Sequence, residues 1–470
     1  MLLDREIETI AAVATPMGEG GLSVIRISGE RALLITDRGF RGKVGLSEAP
    51  SHTAHYGTFV DTHGVAIDNL VATVFRAPHS YTGEDTVELS CHGGRYLTQL
   101  VLDALLGFGA RAADAGEFTK RAFLNNRIDL AQAEAVADLI QARSERAHRV
   151  SLSQLNGSLS VRLSAIREKL IGSISLLELE LDFSEDGYEF TNKTQVAEQL
   201  RHSIAEINEL IVSYKAGKIF RDGVKVALAG APNVGKSSLL NAFLREERAI
   251  VTSIPGTTRD IIEESITLGG IVFDISDTAG LRESADPIEQ EGVRRAQEIL
   301  AKCDILLLML DASRPILDDE AATAMSLLAG IESRGAACII TFNKADIVLN
   351  PKPSHGGLAE KLSKHTALDI SCKTLDGFRE LEQELVRIIL GGSIQAEESG
   401  ITITNARHFS ALMGAKQSLE LALESTVSGK SGEFIAVDLR SGLNHLGEII
   451  GAVTTEDILG AIFSKFCIGK

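Results

Sequence analysis

The sequence predicts a multidomain α/β protein: a P-loop domain with a doubly wound, mostly parallel sheet, inserted in a helical domain and preceded by an α+β domain. Three observations predict it. Residues 230–237 read Gly-Ala-Pro-Asn-Val-Gly-Lys-Ser, a complete G-x-x-x-x-G-K-S loop. Around it, from 224 to 390, short apolar runs alternate with helical spacing. On both sides of that stretch apolar residues recur at steps of three and four, the signature of helix faces. At 470 residues the chain exceeds one core. The expected limits are 1–126 for the α+β domain, 127–217 and 396–470 for the two helical parts, and 218–395 for the inserted domain.

In chain order, Gly18, Gly20 and Gly21 precede a strand-like run at 22–27, and a second run at 86–89 leads into Cys91-His92-Gly93-Gly94. Cys91 and His92 raise the question of a metal ligand or nucleophile, but no second ligand pair accompanies them, so a structural role is expected. Residues 130–181 contain no proline, and Leu152, Leu155, Leu159, Leu163, Ile166, Leu170, Ile174, Leu177 and Leu181 form one helix face, read as core packing. A second helix carries Ile204, Ile207, Ile211 and Tyr214 and is expected to stop near Gly217. Strands at 224–229, 271–276, 304–310, 337–342 and 367–370 each lead to a loop at the C-terminal end, as a doubly wound sheet demands. A helix at 237–244 would point its N-terminus at phosphate. After Gly391-Gly392 and a polar stretch at 395–400, helical spacing resumes with Phe409, Leu412, Leu419 and Leu423, and later Ile458, Ile462 and Phe466.

Composition narrows the class. A hydrophobic content of 44% suits a folded protein, and no apolar run approaches the length of a membrane span. Asp4, Glu6 and Glu8 argue against a secretory or mitochondrial leader. Five cysteines (91, 303, 338, 372 and 467) without a C-x-x-C pair fit a reducing cytoplasm. A net charge of −17 disfavours a general nucleic-acid binder, so any RNA contact is expected to be local or shared with a partner.

The motifs carry more specific chemistry. The loop residues Asn233, Val234, Gly235, Lys236, Ser237 and Ser238 would wrap a β-phosphate with backbone N–H groups, neutralise it with lysine and offer magnesium the Ser237 hydroxyl. Asp277-Thr278-Ala279-Gly280 and Asn343-Lys344-Ala345-Asp346 follow in the order such sites need. The Asp346 carboxylate matches the N1–H and N2 donors of guanine, which adenine lacks, so GTP is the expected ligand. Asn343 would brace the loop and reach N7, the Lys344 stem would cover the base, and Ser371-Cys372-Lys373 sits where a weaker base-contacting loop is expected.

Further segments carry a resemblance: Ala14-Thr15-Pro16, Ile25-Arg26-Ile27-Ser28-Gly29, Tyr81-Thr82-Gly83-Glu84-Asp85, Gly116-Glu117-Phe118 and Arg121-Ala122-Phe123-Leu124-Asn125. With them stand Asp129-Leu130-Ala131-Gln132-Ala133-Glu134-Ala135, Ile254-Pro255-Gly256-Thr257-Thr258-Arg259-Asp260 and the terminal Phe466-Cys467-Ile468-Gly469-Lys470. Over its whole length the chain resembles the MnmE (TrmE) family of tRNA-modification GTPases. The resemblance implies an N-terminal domain that dimerises and binds a tetrahydrofolate derivative (5,10-methylene or 5-formyl) through Arg26, Glu88, Arg127 and Lys470. Arg127 departs from the lysine of some members, keeping charge but changing contact geometry. It also implies a heterotetramer with the flavoprotein MnmG. That complex would place an aminomethyl or carboxymethylaminomethyl group at C5 of the wobble uridine, U34, of certain tRNAs.

For hydrolysis the resemblance adds nucleotide contacts at Thr252, Ser253, Ile254, Pro255, Gly256, Thr257 and Thr258, with magnesium on Ser237 and Thr258. Potassium falls on Asn233, Thr252, Ile254 and Thr257, supplying charge that an arginine would otherwise bring. Leu281 occupies the place after Gly280 where Ras-like enzymes carry a water-orienting glutamine, and leucine cannot do that work. By resemblance the catalytic role passes to Glu289 in Asp286-Pro287-Ile288-Glu289; the residues alone read as an exposed acidic segment. Cys467 superficially matches a prenylation box, but Gly469 and Lys470 do not fit one. The competing reading is a ribosome-assembly GTPase acting as an RNA-binding switch, which would share the nucleotide site but lacks a dedicated basic module after it.

Overall fold

Residues 8–182, 193–245, 263–278, 294, 297–347, 360–391 and 401–469 are described by the computed structural model. They divide into two units, one of Met1–Ile140, Ser153–Ile204 and Gly414–Lys470, the other of Gln141–Leu152 and Ala205–Met413.

In the first unit, strands β1 (Ile10–Val13), β2 (Leu22–Ser28), β3 (Phe40–Gly42), β4 (Thr53–Val60), β5 (Ala66–Phe75), β6 (Thr86–His92) and β7 (Arg111–Ala112) form one sheet. Its order is β3-β4-β5-β6-β2-β1-β7. Alternation decides its two faces. Ile25, Ile27, Leu70, Ala72, Val74, Val87 and Leu89 point into a core closed by α1 (Ala32–Gly39) and α2 (Arg95–Gly107). The opposite face carries Arg26, Glu88 and Thr73, with Arg26 and Thr73 both in register with Glu88. Helix α3 (Glu117–Leu124) covers the β1 side of that face, where Phe118 is buried with Ile10 and Ala12. Arg121 of α3 is almost fully buried, and its guanidinium is held by Glu84 at 3.1 Å and Glu117 at 3.0 Å.

Helices α4 (Leu130–Gln141), α5 (Glu145–Leu155), α6 (Ser158–Asp182) and α7 (Lys193–Asp222) follow. The leucine face divides between two helices rather than running along one. Gly157 takes φ +83° between α5 and α6, and the Gln132 amide donates to the Leu155 carbonyl at 2.8 Å. Leu159, Leu163, Ile166, Leu170 and Leu177 are core, as the spacing implies, whereas Leu152 is 39% exposed.

In the second unit β8 (Val224–Gly230), β9 (Glu263–Leu268), β10 (Ile271–Asp277), β11 (Ile305–Asp311), β12 (Ala337–Asn343) and β13 (Thr366–Asp369) pair in the order β13-β12-β11-β8-β10-β9. All are parallel to their neighbours except β9, which runs antiparallel to β10. β11 is buried throughout, which explains its unbroken apolar run. Helices α8 (Lys236–Arg245) and α10 (Phe378–Leu390) pack on one face through Leu239, Phe243, Phe378, Leu381 and Leu385. Helix α9 (Asp318–Glu332) packs on the other through Ala321, Ala324, Leu328 and Ile331.

Helix α7 does not stop near Gly217. It continues to Asp222 and ends at Gly223, which takes φ +76°. Gly217 lies inside it because a Cβ there would stand 2.1 Å from the Ile403 carbonyl oxygen. The remaining helices are α11 (Ala406–Val427), α12 (Gly432–Ile450) and α13 (Glu456–Phe463), so the P-loop sheet is inserted between helical segments. Among the described residues no helix is long and apolar enough to cross a membrane.

Candidate functional site

The phosphate loop joins β8 to α8. Gly230 and Gly235 take φ +157° and +108°, and Asn233 adopts the left-handed region at +62°. Only glycine fits at 235, since a Cβ would lie 2.2 Å from Asn343 Nδ2. Lys236 Nζ donates to the carbonyls of Gly230 and Ala231 at 2.9 and 3.2 Å, while Asn233, Ser237 and Ser238 are exposed. Val234 is buried beneath the loop. Thr278, just after β10, anchors its hydroxyl on the Leu228 carbonyl at 3.0 Å.

The residues expected to contact the base lie at the ends of β12 and β13. Asn343 is buried; its Nδ2 donates to the Val234 carbonyl at 2.7 Å and its Oδ1 accepts from the Cys372 N–H at 3.1 Å. One side chain therefore ties the phosphate loop to the Ser371-Cys372-Lys373 loop. Asp346, exposed in the 3-10 turn Ala345–Ile347, accepts from the Ser371 hydroxyl at 2.8 Å through Oδ1. Burial pushes the Cys372 thiol up to about 11, so it packs as an uncharged side chain.

Sequence reasoning missed Asp311, the last residue of β11. Its Oδ2 accepts from Lys344 Nζ at 2.6 Å, and its Oδ1 accepts from the Ser313 N–H and hydroxyl at 2.9 and 2.6 Å. Burial works against this carboxylate, but the Lys344 and Ser313 hydrogen bonds hold it below the usual range. An acid closing an otherwise apolar strand was the available signal.

In the first unit, Arg26 Nε donates to Glu88 Oε1 at 2.9 Å, and the guanidinium carbon lies 5.2 Å from the Tyr81 ring centroid. Arg26 Nη1 is buried without a hydrogen-bond partner among the described residues. The C-terminal segment lies against the same region. Ile468 bridges to Ala115, the Gly116 N–H reaches the Cys467 carbonyl, and Gly469 backs onto Val13, next to the Ala12 that pairs with Arg26. Cys91 is buried with its thiol on the Ser23 carbonyl, and His92 Nδ1 meets Asp68 Oδ1 at 2.8 Å.

Residues 130–467 match the family described as the MnmE helical domain, and residues 9–127 match GTP-binding protein TrmE N-terminus. The chain belongs to the MnmE family. The tRNA modification GTPase MnmE of Chlorobium chlorochromatii is 43% identical over 100% of this chain and 99% of its own length. That of Symbiobacterium thermophilum is 44% identical over 98% and 99%. Solved structures that resemble it include the G domain of the T. maritima FeoB iron transporter, 28% identical, covering 35% of this chain and 97% of that one, with a TM-score of 0.26. Aquifex aeolicus Era bound to GDP.AlF4- is 25% identical over 42% and 67%, with a TM-score of 0.29. Scores this low carry no argument about function.

Of the residues expected to act in an MnmE-family site, the structure brings Asn343 beside Val234, Gly235 and Cys372, and Asp346 beside Ser371. It also pairs Arg26 with Glu88, and places Arg127 after α3 in a cleft that Tyr81 shares. Thr252, Ser253, Ile254, Pro255, Gly256, Thr257, Thr258, Ala279, Gly280, Glu289 and Lys470 lie outside the described residues.

Proposed function

We propose that this chain is the GTP-hydrolysing component of a complex that modifies C5 of the tRNA wobble uridine, using a tetrahydrofolate one-carbon donor and a flavoprotein partner, MnmG. The observation that carries the reading is an MnmE-family chain, matched to its relatives along their length, that holds two separate polar sites. One is a guanine-type loop centred on Asn343 and Asp346; the other is the Arg26–Glu88 pair beside the C-terminal segment.

At the first site, Lys236 and the loop N–H groups would bind the β- and γ-phosphates, and Asp346 would accept from guanine. Ser237 and Thr258 would hold magnesium, and Asn233, Thr252, Ile254 and Thr257 would hold potassium. Asn233 suits that role: it stands exposed at φ +62° in the loop, with a hard amide oxygen to offer. Bound there, the two cations supply positive charge against the charge developing on the transferred phosphate. Glu289 would orient the attacking water, replacing the glutamine that Leu281 displaces.

At the second site the residues fit a reduced folate. Glu88 offers a carboxylate to an aminopyrimidine edge, and the orphaned Arg26 Nη1 offers a donor. Gly469 backs onto Val13 of β1, Lys470 follows it in sequence and would add a cation, and Arg127 adds another. When bound, the folate supplies the activated carbon that a weakly nucleophilic uridine C5 needs. The flavin and most of the basic RNA surface would come from MnmG, which reconciles a −17 chain with a tRNA substrate. Homodimerisation through the N-terminal domain, a cytoplasmic location and the domain limits 1–126, 127–217, 218–395 and 396–470 belong to the same proposal.

Mass spectrometry of tRNA nucleosides from cells with and without this protein tests the reading. The C5-modified wobble uridine is expected to disappear without it; an unchanged nucleoside profile would overturn it.

A further inference from the structure

The outer face of the first unit's sheet carries a cleft that the nucleotide chemistry does not use. It measures 460 Å³ and is lined by His52, Phe75, His79, Ser80, Tyr81 and Arg127. That size falls within the roughly 300–1,000 Å³ of small-molecule sites. Strand register fixes its place. Thr73 pairs with Glu88 and Phe75 with Thr86, so the cleft begins two residues along β5 from the Arg26–Glu88 pair. Tyr81 belongs to both, taking the Arg26 guanidinium against its ring while lining the cleft. The two form one elongated surface.

The far end of that surface is nitrogen-rich. No carboxylate is among the described residues that line it, and the nearby acids are engaged elsewhere. Asp85 Oδ1 accepts from the Ala77 N–H at 2.9 Å, and Glu84 accepts from Arg121 and from the Ser28 hydroxyl. Arg127 is exposed, and its guanidinium has no protein partner among the described residues. Its position is built: the Arg127 N–H donates to the Ala122 carbonyl at the end of α3, and its stem lies against Gly83. A Cβ on Gly83 would stand 3.2 Å from Arg127 Cγ. His52 is also fixed, with Nδ1 2.8 Å from the Ser51 hydroxyl oxygen and its ring edge-on to Phe75 at 5.4 Å.

The geometry points to a subsite for the acidic tail of the folate, in which Phe75 and Tyr81 flank the aryl ring and Arg127, His79 and His52 receive glutamyl carboxylates. The inference rests on the folate reading of the Arg26–Glu88 site and adds a selectivity to it. One glutamate cannot engage three separated nitrogen-bearing side chains, whereas a chain of several can, so polyglutamylated folates are the preferred form.

Calorimetric titration of the full-length protein with 5-formyltetrahydrofolate carrying one or three glutamates tests this. The triglutamate is expected to bind about tenfold more tightly than the monoglutamate. His52→Gln with His79→Gln should bring the two within about twofold, and an unchanged melting temperature shows that the variant is folded. Should the double variant not fold, His79→Gln alone, at an exposed position, is expected to lose part of the advantage. Equal affinities in the wild type, or an advantage that survives both substitutions, would overturn the subsite and leave the folate reading standing. Failure of either folate to bind would overturn both.

Discussion

Single side chains set the chemistry at the nucleotide site. Asp346 is the residue on which we propose guanine selectivity rests, and the Ser371 hydroxyl donates to its carboxylate. Asp346→Asn should weaken GTP binding by about 2 kcal/mol or more, the cost of leaving a buried donor unpaired, and shift preference toward xanthosine triphosphate. Comparing the two nucleotides checks it; an unchanged preference would remove the assignment. Asp311 supports the neighbouring Lys344, and its folded-state carboxyl is held below its unfolded value of about 3.9. The stability it contributes is therefore present above that value and is lost as pH falls through the lower folded one. Asp311→Asn should lower the melting temperature at pH 7, and the gap from wild type should close below about pH 4. A gap independent of pH would contradict this role. Glu289→Ala should depress turnover with little change in GTP affinity, read from single-turnover rates and nucleotide titration.

At the scale of elements, strands with unbroken apolar runs were legible, as was the short edge strand β13, whereas the amphipathic edge strand β9 was not. β8, β10, β11 and β12 fall within a residue of the runs that announce them, because burial on both faces demands continuous apolar sequence. β9, reading Glu-Glu-Ser-Ile-Thr-Leu, pairs on one side only and alternates, so the period hid among polar residues. Gly217 misled for a physical reason: glycine ends helices when it turns left-handed, but here it admits the Ile403 backbone. The resemblance named Arg26 and Glu88, which the structure pairs, yet the cleft beyond Tyr81 was not legible, since His52, His79 and Arg127 lie on separate segments that only the fold brings together.

Two contacts between elements give tests. Gly469 takes φ +95°, and a Cβ would stand 2.2 Å from the Val13 carbonyl oxygen. Gly469→Ala should displace the C-terminal segment and weaken folate binding while GTP turnover stays at the wild-type rate; unimpaired folate affinity would show that the segment takes no part. Arg143 makes a bidentate pair with Asp274 of β10 at 3.0 Å for each bond, 34% and 15% exposed respectively. Discounted for that exposure, Arg143→Ala should cost about 1 kcal/mol in denaturant unfolding, with lysine restoring only part.

In the whole molecule we propose that a GTP site and a one-carbon site share one acidic chain, and that the flavin and the basic RNA surface come from a partner. Hydrolysis should run faster in potassium than in sodium at equal ionic strength, because the larger ion suits amide and carbonyl oxygens such as that of Asn233; equal rates would remove the potassium site. GTP hydrolysis would then drive a conformational step through the segments around 252–260 and 277–289. The most direct measurement reconstitutes the reaction: this protein, the flavoprotein, GTP, potassium, methylenetetrahydrofolate, glycine or ammonium, and unmodified tRNA, with nucleosides read by mass spectrometry. C5-modified uridine is expected only when this chain and hydrolysable GTP are both present. Equal yield without the chain, or with a non-hydrolysable GTP analogue, would contradict the account.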